Sequence, residues 1–395
     1  MPADQQAETH MISHFSFPTR IVFGPGALNE LGDEAKQLAM RRPLIVTDPG
    51  VVACGLAEQI LAAARRAGLA PSLFEGVDPN PVEKNVRDGL DAYRQGNCDG
   101  VIGLGGGSPL DTAKAIRLVV THPFPLEQYD DQRDGAARIR GDLPPMIAIA
   151  TTAGTGSEVG RSSVIILQAT DRKTVIFSPH LMPNVALADP ELTLGMPPKI
   201  TAGTGLDALT HNVEAYLALG YHPLCDAIAL QGARLAVQNL PRAVQNGKDL
   251  EARSNMLMAA MMGAVAFQKG LGAVHSLAHP LSSIANLHHG TTNGILLPHV
   301  LEFNRPASED RLRDLAVEME IVGSQASAAE AATALVARLR ELLPEVGIPS
   351  TLGALGVTRD MVPQLARKAM EDACHQSNPR VCTEADMIAL YDNAL

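Results

Sequence analysis

The sequence predicts an α/β N-terminal domain with a mostly parallel sheet, followed by an all-α C-terminal domain. In the first half, short apolar or β-branched runs alternate with segments of helical spacing, a pattern typical of a parallel sheet covered by helices. After about Pro197 the strand-like runs stop, and long stretches rich in Ala, Leu and Met follow. Aromatic residues make up only 3% of the chain, which argues against an all-β fold because such folds use aromatic-rich strands.

Seven runs carry the strand signal in the first half. They are RIVFG (20–24), PLIVTD (43–48), PSLFEG (71–76), GVIGLGGG (100–107), PMIAIATT (145–152), SVIILQ (163–168) and VALADP (185–190). Segments 27–38, 82–95 and 110–120 have the spacing of amphipathic helices. In the second half, we expect Pro and Gly to break the helices at 220–223, 241, 270–272, 290 and 298.

The length and these patterns divide the chain into two domains. At 395 residues the chain is longer than one core usually serves, since domains average roughly 100–200 residues. We expect a flexible N-terminus at 1–14, the α/β domain at 15–195 and the helical domain at 196–395.

The composition favours a globular enzyme of a reducing compartment. The net charge of −11 repels phosphate backbones and anionic lipid, which argues against nucleic acid and membrane surfaces as partners. The longest apolar run, 256–267, is shorter than the roughly 20 residues of a membrane span. The first ten residues lack an apolar signal region. Five scattered cysteines without a CxxC pair argue against disulfides, so we expect a cytoplasmic protein acting on a small molecule.

A glycine cluster, GLGGGSPLD at 103–111, follows one predicted strand and opens a helix. Backbone N–H groups at such a turn, with the helix N-terminus, can hold a dinucleotide pyrophosphate. The GxGxxG fingerprint is not matched literally, because Ser108 stands where the last glycine falls. A phosphate site and a simple tight turn both account for these residues.

Two further features favour a dinucleotide-binding, Rossmann-like domain. Asp48 ends a strand-like run, where a carboxylate can accept hydrogen bonds from both hydroxyls of an adenosine ribose and so favour NAD over NADP. An Asp at that place is also a common helix N-cap. A second loop of small residues, TTAGTGS at 151–157, follows another strand and offers hydroxyls and close backbone approach to a cofactor.

Acidic and histidine side chains in the helical half have metal-ligand spacing. Asp207 and His211 are four residues apart in one predicted helix, which places them on one face about one turn apart. Four more histidines lie within fifteen residues, namely His275, His279, His288 and His289. Imidazole with carboxylate suits Fe(II), Zn(II), Co(II) or Mn(II), and the absence of a thiolate set argues against structural zinc. An ordinary satisfied or exposed histidine is the alternative for each one taken alone.

Over nearly its whole length the chain resembles the iron-containing (group III) alcohol dehydrogenases. The matching stretches are GGGSPLDTAK (105–114), TTAGTGSEV (151–159), ADPELT (188–193), GLDALTHNVEAY (205–216) and GLGAVHSLAHPLSSIANLHHGTTNGILLP (270–298). The resemblance implies an NAD(H)-linked enzyme that interconverts an alcohol and its aldehyde, with a divalent metal, Fe(II) before Zn(II). It also implies a cleft between the two domains and a homodimer or larger homo-oligomer.

The resemblance further implies the site residues. The implied metal ligands are Asp207, His211, His275 and His289, and His288 is set aside. The implied cofactor residues are Asp48, Gly105, Gly106, Gly107, Ser108, Asp111, Thr151, Thr152 and Thr155. His275 and His279 are the implied catalytic positions; His279 either relays a proton or packs beside the ligands. A divalent metal with three neutral imidazoles and one carboxylate keeps positive charge to polarise the substrate oxygen for hydride transfer.

Three cations near the matched stretches bear on the substrate: Arg161, Lys269 and His375. Arg binds a carboxylate in bidentate fashion and Lys acts as a point charge, so together they favour a substrate with an anionic tail. Ordinary ion pairing is the alternative. The stretches around Lys269 and His375 look most like the 4-hydroxybutyrate dehydrogenase branch, which interconverts 4-hydroxybutyrate and succinate semialdehyde.

Other substrates and classes stay open from the sequence. A sulfonated or phosphonated aldehyde, or a simple short-chain primary alcohol, are alternatives within the same reaction. A glycerol-phosphate dehydrogenase or dehydroquinate synthase-like enzyme resembles the architecture more remotely. A non-catalytic binding protein on the same scaffold is expected to have broken ligands, whereas all four implied ligands are present.

Overall fold

The computed structural model describes residues 15–167 and 172–395, so the N-terminus at 1–14 that we expected to be flexible lies outside the described residues. The strands are β1 Arg20–Phe23, β2 Pro43–Val46, β3 Ser72–Phe74, β4 Gly100–Gly105, β5 Met146–Ala150, β6 Ser162–Leu167, β7 Arg172–Phe177 and β8 Val185–Ala188. The helices of this half are α1 Leu31–Gln37, α2 Pro49–Ala53, α3 Leu56–Arg66, α4 Glu83–Gln95 and α5 Gly107–Thr121.

Six of these strands form one sheet in the order β1-β8-β5-β4-β2-β3. Every neighbouring pair in it is parallel, as the sequence predicted. Gly105 at the end of β4 is in register with Ala150 at the end of β5. The glycine cluster and the TTAGTGS loop therefore leave the sheet side by side at its carboxyl edge, where ligands bind in open α/β sheets.

Apolar cores cover both faces of the sheet. Leu44 and Val46 of β2 pack on one face and Ile45 on the other, and all four residues of β2 are buried. Because both faces are covered, these strands have continuous apolar sequences rather than alternating ones.

The strands β6 and β7 form a separate antiparallel pair. The predicted strand at 163–168 is confirmed up to Leu167, whereas Gln168 lies outside the described residues. Its partner β7 was not among the predicted strands. Buried Thr174 and Ile176 alternate there with exposed Val175, which is the pattern of a half-buried strand too short to stand out.

The regular structure of the remaining described residues is helical. They are α6 Pro198–Leu217, α7 Pro223–Gln245, α8 Leu250–Ala266, α9 Ala273–Ile284, α10 His289–Glu318, α11 Ala328–Glu345, α12 Val362–Met370 and α13 Glu384–Ala394. The predicted breaks at 220–223 and 270–272 fall between helices. Those at Pro241 and Pro298 were wrong, because both prolines are buried inside α7 and α10, where packing offsets the hydrogen bond that each removes. Gly290 lies at the start of α10.

The helices α6 to α13 share one apolar core. Within the described ranges, no single helix is long and apolar enough to cross a membrane, although the bent pair Leu250–Lys269 and Ala273–Ile284 passes by length and composition together. The Leu257 and Leu277 side chains of that pair are fully buried in the helical core.

Candidate metal and dinucleotide site

Helix α6 presents a carboxylate and an imidazole one turn apart. Asp207 and His211 are 3% and 5% exposed, and His211 Nε2 lies 3.9 Å from Asp207 Oδ1. The helix starts with Pro198, a position where a missing N–H costs nothing. Nearly all of its residues from Thr201 onward are buried, so both side chains face the protein interior.

Two histidines from other helices reach the same carboxylate. His275 lies in the first turn of α9 and His289 begins α10. Their Nε2 atoms lie 3.9 Å and 3.6 Å from Asp207 Oδ1. The rings of His211 and His275 stack with centroids 4.7 Å apart. The structure therefore brings together all four residues that the sequence predicted as metal ligands.

The spacing of three of these groups fits one divalent cation, because ligand atoms of Asp207, His275 and His289 all lie within 4.8 Å of one another. Donors on a tetrahedral ion with bonds of roughly 2.0–2.2 Å lie roughly 3.3–3.6 Å apart. The three imidazole nitrogens here lie 3.6 to 3.9 Å from the carboxylate oxygen. Three imidazoles with one carboxylate suit Fe(II) or Zn(II) better than Ca²⁺ or Mg²⁺, which prefer oxygen ligands.

The protonation states of the cluster also suit a cation. Burial by itself raises the pKa of Asp207, but the three imidazoles and a hydrogen bond from Asn293 outweigh it and lower this pKa to about 2. Burial lowers the pKa of His275 and of His289 well below the usual value of histidine. An ionised carboxylate and neutral imidazoles are the forms in which these groups bind metals.

Asn293, one turn after His289 on α10, contacts three of the four groups. Its Nδ2 donates to Asp207 Oδ1 at 2.8 Å and lies 3.3 Å and 3.1 Å from the Nε2 atoms of His275 and His289. The amide thus holds the carboxylate beside the imidazoles. Sequence reasoning missed Asn293; its spacing of four residues from His289 was the only available signal.

Glu214 lies behind His275 and was also missed. Its Oε2 is 2.6 Å from His275 Nδ1, and its Oε1 accepts the backbone N–H of Val274 at 2.7 Å. Glu214 is 3% exposed, and this burial raises its pKa to about 7. The signal for it was the stripe of Asp207, His211 and Glu214 along one helix face.

His279 lies beside the cluster with its own carboxylate partner. Its ring stacks on that of His289 with centroids 5.1 Å apart, and His279 Nδ1 lies 2.7 Å from Asp372 Oδ2. Ser276 donates to the other oxygen of Asp372 at 2.7 Å. Burial acts to raise the pKa of Asp372, but the hydrogen bond and charge of His279, together with the hydrogen bonds from Ser276 and Cys374, outweigh it and lower that pKa strongly. Asp372, which fixes the orientation of His279, was not predicted.

The residue that sequence reasoning set aside, His288, has a different role. Its side chain accepts a hydrogen bond from the backbone N–H of Thr291 and so caps α10. The helix start therefore uses one histidine as a cap and the next as a member of the cluster.

The glycine cluster is packed against the second small-residue loop. Gly106 precedes α5 as its N-cap, without a capping side chain. A β-carbon on Gly106 would lie 3.1 Å from Thr152 Oγ1, and one on Gly107 would lie 2.8 Å from Thr155 Cγ2. Only glycine fits there without displacing the threonines. The arrangement leaves the first N–H groups of a 15-residue helix for an anion.

Ser108, Thr151 and Asp111 hold this region together. Ser108 Oγ donates to the carbonyl of Pro79 at 2.7 Å, and Thr151 N donates to the carbonyl of Gly105 at 3.0 Å. Asp111 accepts from Ser157 Oγ at 2.6 Å and from Val164 N at 3.0 Å. The carboxylate of Asp111 therefore ties α5 to the second loop and to β6.

Lys114 also connects α5 to the second loop and to β6, and it was not singled out from the sequence. It is fully buried, and its Nζ donates to the carbonyl and hydroxyl oxygens of Ser157 and to the carbonyl of Ser162. Burial lowers the pKa of Lys114 to about 8. Its contacts fix the two loops relative to each other.

Asp48 has one of the two roles considered from the sequence, that of a helix cap. Its Oδ1 accepts the N–H groups of Gly50 and Val51 at 2.8 Å and 3.0 Å and caps α2. A β-carbon built on Gly105 would lie 3.4 Å from the second oxygen, Oδ2. One carboxylate oxygen thus caps a helix while the other lies against the glycine cluster.

Lys173 links the two halves of the site electrostatically. Burial raises the pKa of Asp111 and the ammonium of Lys173 acts against that rise. Burial lowers the pKa of His289 and the same ammonium adds to that shift, so Lys173 lies within electrostatic reach of both. Burial lowers the pKa of Lys173 itself. Because it falls on the strand that was not predicted, the sequence offered no signal for it.

The three cations that we considered for substrate binding lie in different surroundings. Lys269 Nζ pairs with Asp226 Oδ1 at 2.5 Å and its side chain is 2% exposed. Arg161 lies over Phe177, 5.1 Å from the ring centroid, and lines a cavity of about 610 Å³ with Arg117 and His180. His375 is connected to α9, which carries His275 and His279: its backbone N–H donates to Ser276 Oγ at 2.8 Å.

A parallel sheet with two glycine-rich loops at its carboxyl edge, joined to helices with a buried Asp/His cluster, is the organisation of a dinucleotide- and metal-dependent dehydrogenase. The chain belongs to the iron-containing alcohol dehydrogenase family. Residues 18–190 match the family described as iron-containing alcohol dehydrogenase, and residues 201–395 match its C-terminal part.

Full-length relatives have several substrates. The chain is 41% identical over 386 residues to 4-hydroxybutyrate dehydrogenase of Cupriavidus necator, covering 95% of this chain and 98% of that protein. It is 40% identical to NAD-dependent methanol dehydrogenase of Bacillus methanolicus, covering 97% and 100%. A solved 1,3-propanediol oxidoreductase superposes with a TM-score of 0.93 at 38% identity, covering 97% of this chain and 100% of that one. The chain is therefore an oxidoreductase of this family.

Proposed function

We propose that the protein is an NAD(H)-linked, metal-dependent enzyme that interconverts 4-hydroxybutyrate and succinate semialdehyde. The observation that carries the metal-dependent chemistry is the convergence of three imidazole nitrogens on Asp207 Oδ1 at 3.6 to 3.9 Å. The substrate rests on the similarity to 4-hydroxybutyrate dehydrogenase and on the nearby cations.

In this proposal, Asp207, His211, His275 and His289 hold the cation, Fe(II) or Zn(II). The cation supplies Lewis-acid polarisation of the substrate oxygen, and NAD(H) supplies the hydride acceptor or donor. Glu214 and Asn293 orient two of the ligands through the contacts described above.

The dinucleotide lies along the carboxyl edge of the sheet. Gly105, Gly106, Gly107 and Ser108 bind the pyrophosphate at the start of α5, and Thr151, Thr152 and Thr155 line the cofactor opposite them. Asp111 positions these loops through Ser157. Asp48 offers Oδ2 to the adenosine ribose, and this carboxylate would repel a 2′-phosphate, so we propose NAD rather than NADP.

His279 moves the proton in the proposed mechanism. Its Nδ1 is directed to Asp372, which leaves Nε2 for the substrate hydroxyl or a water. The side chain is 35% exposed, whereas that of His275 is 1% exposed, so His279 connects the interior cluster to solvent. A histidine in such a position can relay a proton as a general base.

The anionic tail of the substrate binds at His375, with Arg161 as a second candidate. His375 connects through Ser276 to the carboxylate that holds His279. In residues 15–167 and 172–395, the guanidinium of Arg161 has no hydrogen-bond or ion-pair partner and lies over the ring of Phe177. The charge of Lys269 is already paired with Asp226, so this lysine carries less of the proposal.

A broad activity on short-chain primary alcohols is the second candidate. The methanol dehydrogenase and the 1,3-propanediol oxidoreductase named above favour it. Turnover of succinate semialdehyde and butanal with NADH separates the two candidates. A higher kcat/KM for succinate semialdehyde, reduced by His375→Ala while that for butanal is unchanged, supports the anionic tail. Equal efficiencies for both aldehydes would overturn it.

The assembly and domain division are also proposals. We place the boundary between 195 and 196, after β8 and before α6. The strand β1 forms one edge of the sheet with Ile21 and Phe23 each 39% exposed, and such an edge can pair with a second copy, so we propose a homodimer. All five cysteines are unpaired, which supports a reducing, cytoplasmic compartment.

A further inference from the structure

The carboxylate of Glu214 is used at both oxygens by groups that donate hydrogen bonds. Oε1 accepts the N–H of Val274 at 2.7 Å, in the first turn of α9. Oε2 lies 2.6 Å from Nδ1 of His275 in the same turn. Glu214 therefore stabilises the start of α9 and holds the ring of His275 in one contact.

The tautomer of His275 follows from two independent contacts. A carboxylate oxygen is an acceptor, so the ring proton lies on Nδ1. On the opposite side of the ring, Asn293 Nδ2 lies 3.3 Å from Nε2, and an amide nitrogen only donates. Both contacts leave Nε2 without a proton, and this atom lies 3.9 Å from Asp207 Oδ1.

Helix α6 carries both this carboxylate and two of the proposed ligands. Asp207, His211 and Glu214 follow each other by four and then three residues, which is one face of a helix. Helix α6 thus fixes the positions of Asp207 and His211 directly, and that of His275 through Glu214. By contrast, the Nδ1 atoms of His211 and His289 are buried without a hydrogen-bond partner among the described residues.

We propose that Glu214 is the positioning residue of the metal centre, fixing the tautomer and orientation of His275 so that its Nε2 binds the cation. The inference rests on the proposed metal centre. Carboxylate partners of this kind contribute roughly 10- to 100-fold to metal affinity.

The isosteric substitution Glu214→Gln tests the tautomer directly. Glutamine has one carbonyl oxygen and one NH₂ group, whereas both Val274 N–H and His275 Nδ1–H need an acceptor. Either the NH₂ group meets the N–H of Val274, which disturbs the start of α9, or it meets His275 Nδ1. In the second case the ring proton moves to Nε2 and blocks the metal-binding lone pair.

The experiment is a Co(II) titration of the metal-stripped full chain, followed by visible absorption and by competition with a chelator. Glu214→Asp keeps two acceptor oxygens on a shorter side chain. Asp314→Asn is the matched control, because Asp314 Oδ2 accepts at 2.7 Å from the hydroxyl of Tyr216, which lies on α6 as Glu214 does.

We expect Glu214→Gln to weaken Co(II) binding roughly 10- to 100-fold and to change the absorption bands. Glu214→Asp should recover part of the affinity, and Asp314→Asn should bind as the wild type does. Wild-type affinity and bands in Glu214→Gln, or an equal loss in Asp314→Asn, would overturn the inference. If Glu214→Gln does not fold, the Co(II) affinities of Glu214→Asp and Asp314→Asn are compared instead. A weaker affinity in Glu214→Asp alone supports the inference, and equal affinities overturn it. A wild-type chain that binds no Co(II) overturns both this inference and the proposed metal centre.

Discussion

His288 and His289 are adjacent, yet His288 Nδ1 accepts the N–H of Thr291 at 3.3 Å while His289 Nε2 lies 3.6 Å from Asp207 Oδ1. The first ring caps α10 and the second faces the donor cluster. The two side chains therefore provide a matched pair of substitutions at the same helix start.

His289→Ala should lose bound metal and dehydrogenase activity together. His288→Ala should keep the metal but lose about 0.5–2 kcal/mol of stability, the usual cost of removing a helix cap. Metal analysis and thermal unfolding of both variants measure these outcomes. Retention of metal by both variants would show that the ligand assignment is wrong.

Gly107→Ala should weaken NAD binding, because its β-carbon would lie 2.8 Å from Thr155 Cγ2. We expect the Kd of NAD to rise about tenfold or more, equivalent to about 1.4 kcal/mol. Adding Thr155→Ser removes the clashing methyl group and should restore part of the affinity. Gly323→Ala is the control, because no atom of residues 15–167 or 172–395 lies within 4 Å of its β-carbon position. Unchanged NAD affinity in Gly107→Ala would contradict the proposed cradle.

Asp48→Asn should change cofactor preference without loss of fold. The amide oxygen can still cap α2, whereas the negative charge that disfavours the 2′-phosphate of NADP is gone. The ratio of kcat/KM for NADP to that for NAD should therefore rise. Asp48→Ala should also lose about 1 kcal/mol of stability with the cap. An unaltered ratio in both variants would exclude Asp48 from the ribose site.

Asp372→Asn should lower kcat by roughly 10- to 100-fold, as expected when the partner of a functional histidine is altered. One oxygen of Asp372, Oδ1, accepts from Ser276 Oγ and from the N–H of Cys374, so the single oxygen of Asn takes that place. Its NH₂ group then faces His279 Nδ1, which loses the acceptor 2.7 Å away that fixes its ring. NAD affinity and metal content should stay at wild-type values, which stopped-flow binding and metal analysis can check. A normal kcat would assign His279 to packing rather than proton transfer.

Ile21→Glu should dissociate the proposed dimer by placing a charge on the edge strand β1. Val175→Glu is the matched control, since Val175 is 41% exposed and Ile21 39% but Val175 lies on β7 of the separate pair. Light scattering after size-exclusion chromatography gives the mass of each variant. Dimers in both variants would place the interface elsewhere.

The sequence predicted the elements whose signals are local. The parallel sheet followed from alternating apolar runs and helices, and Asp207 and His211 followed from their spacing within one helix. The family resemblance was needed to distinguish His289 from His288, because the two residues are adjacent. Their side chains face different groups only because α10 begins between them.

The supporting residues could not be predicted because their partners are distant in sequence. Asp372 and His279 are separated by 93 positions, and Asn293 and Asp207 by 86. Such pairs form only when the helices pack, and no periodicity within one segment encodes them. The prolines at 241 and 298 show the converse, because tertiary packing keeps helical segments that local rules would end.

The central claim is that the Asp207 cluster holds a cation required for an NAD-linked reaction. The most direct measurement is NADH formation from 4-hydroxybutyrate by the chain as purified, after removal of metal with a chelator, and after addition of Fe(II) or Zn(II). We predict that activity disappears with the metal and returns in proportion to the metal restored, while Asp207→Ala stays inactive throughout. Full activity in the metal-free chain would contradict the account.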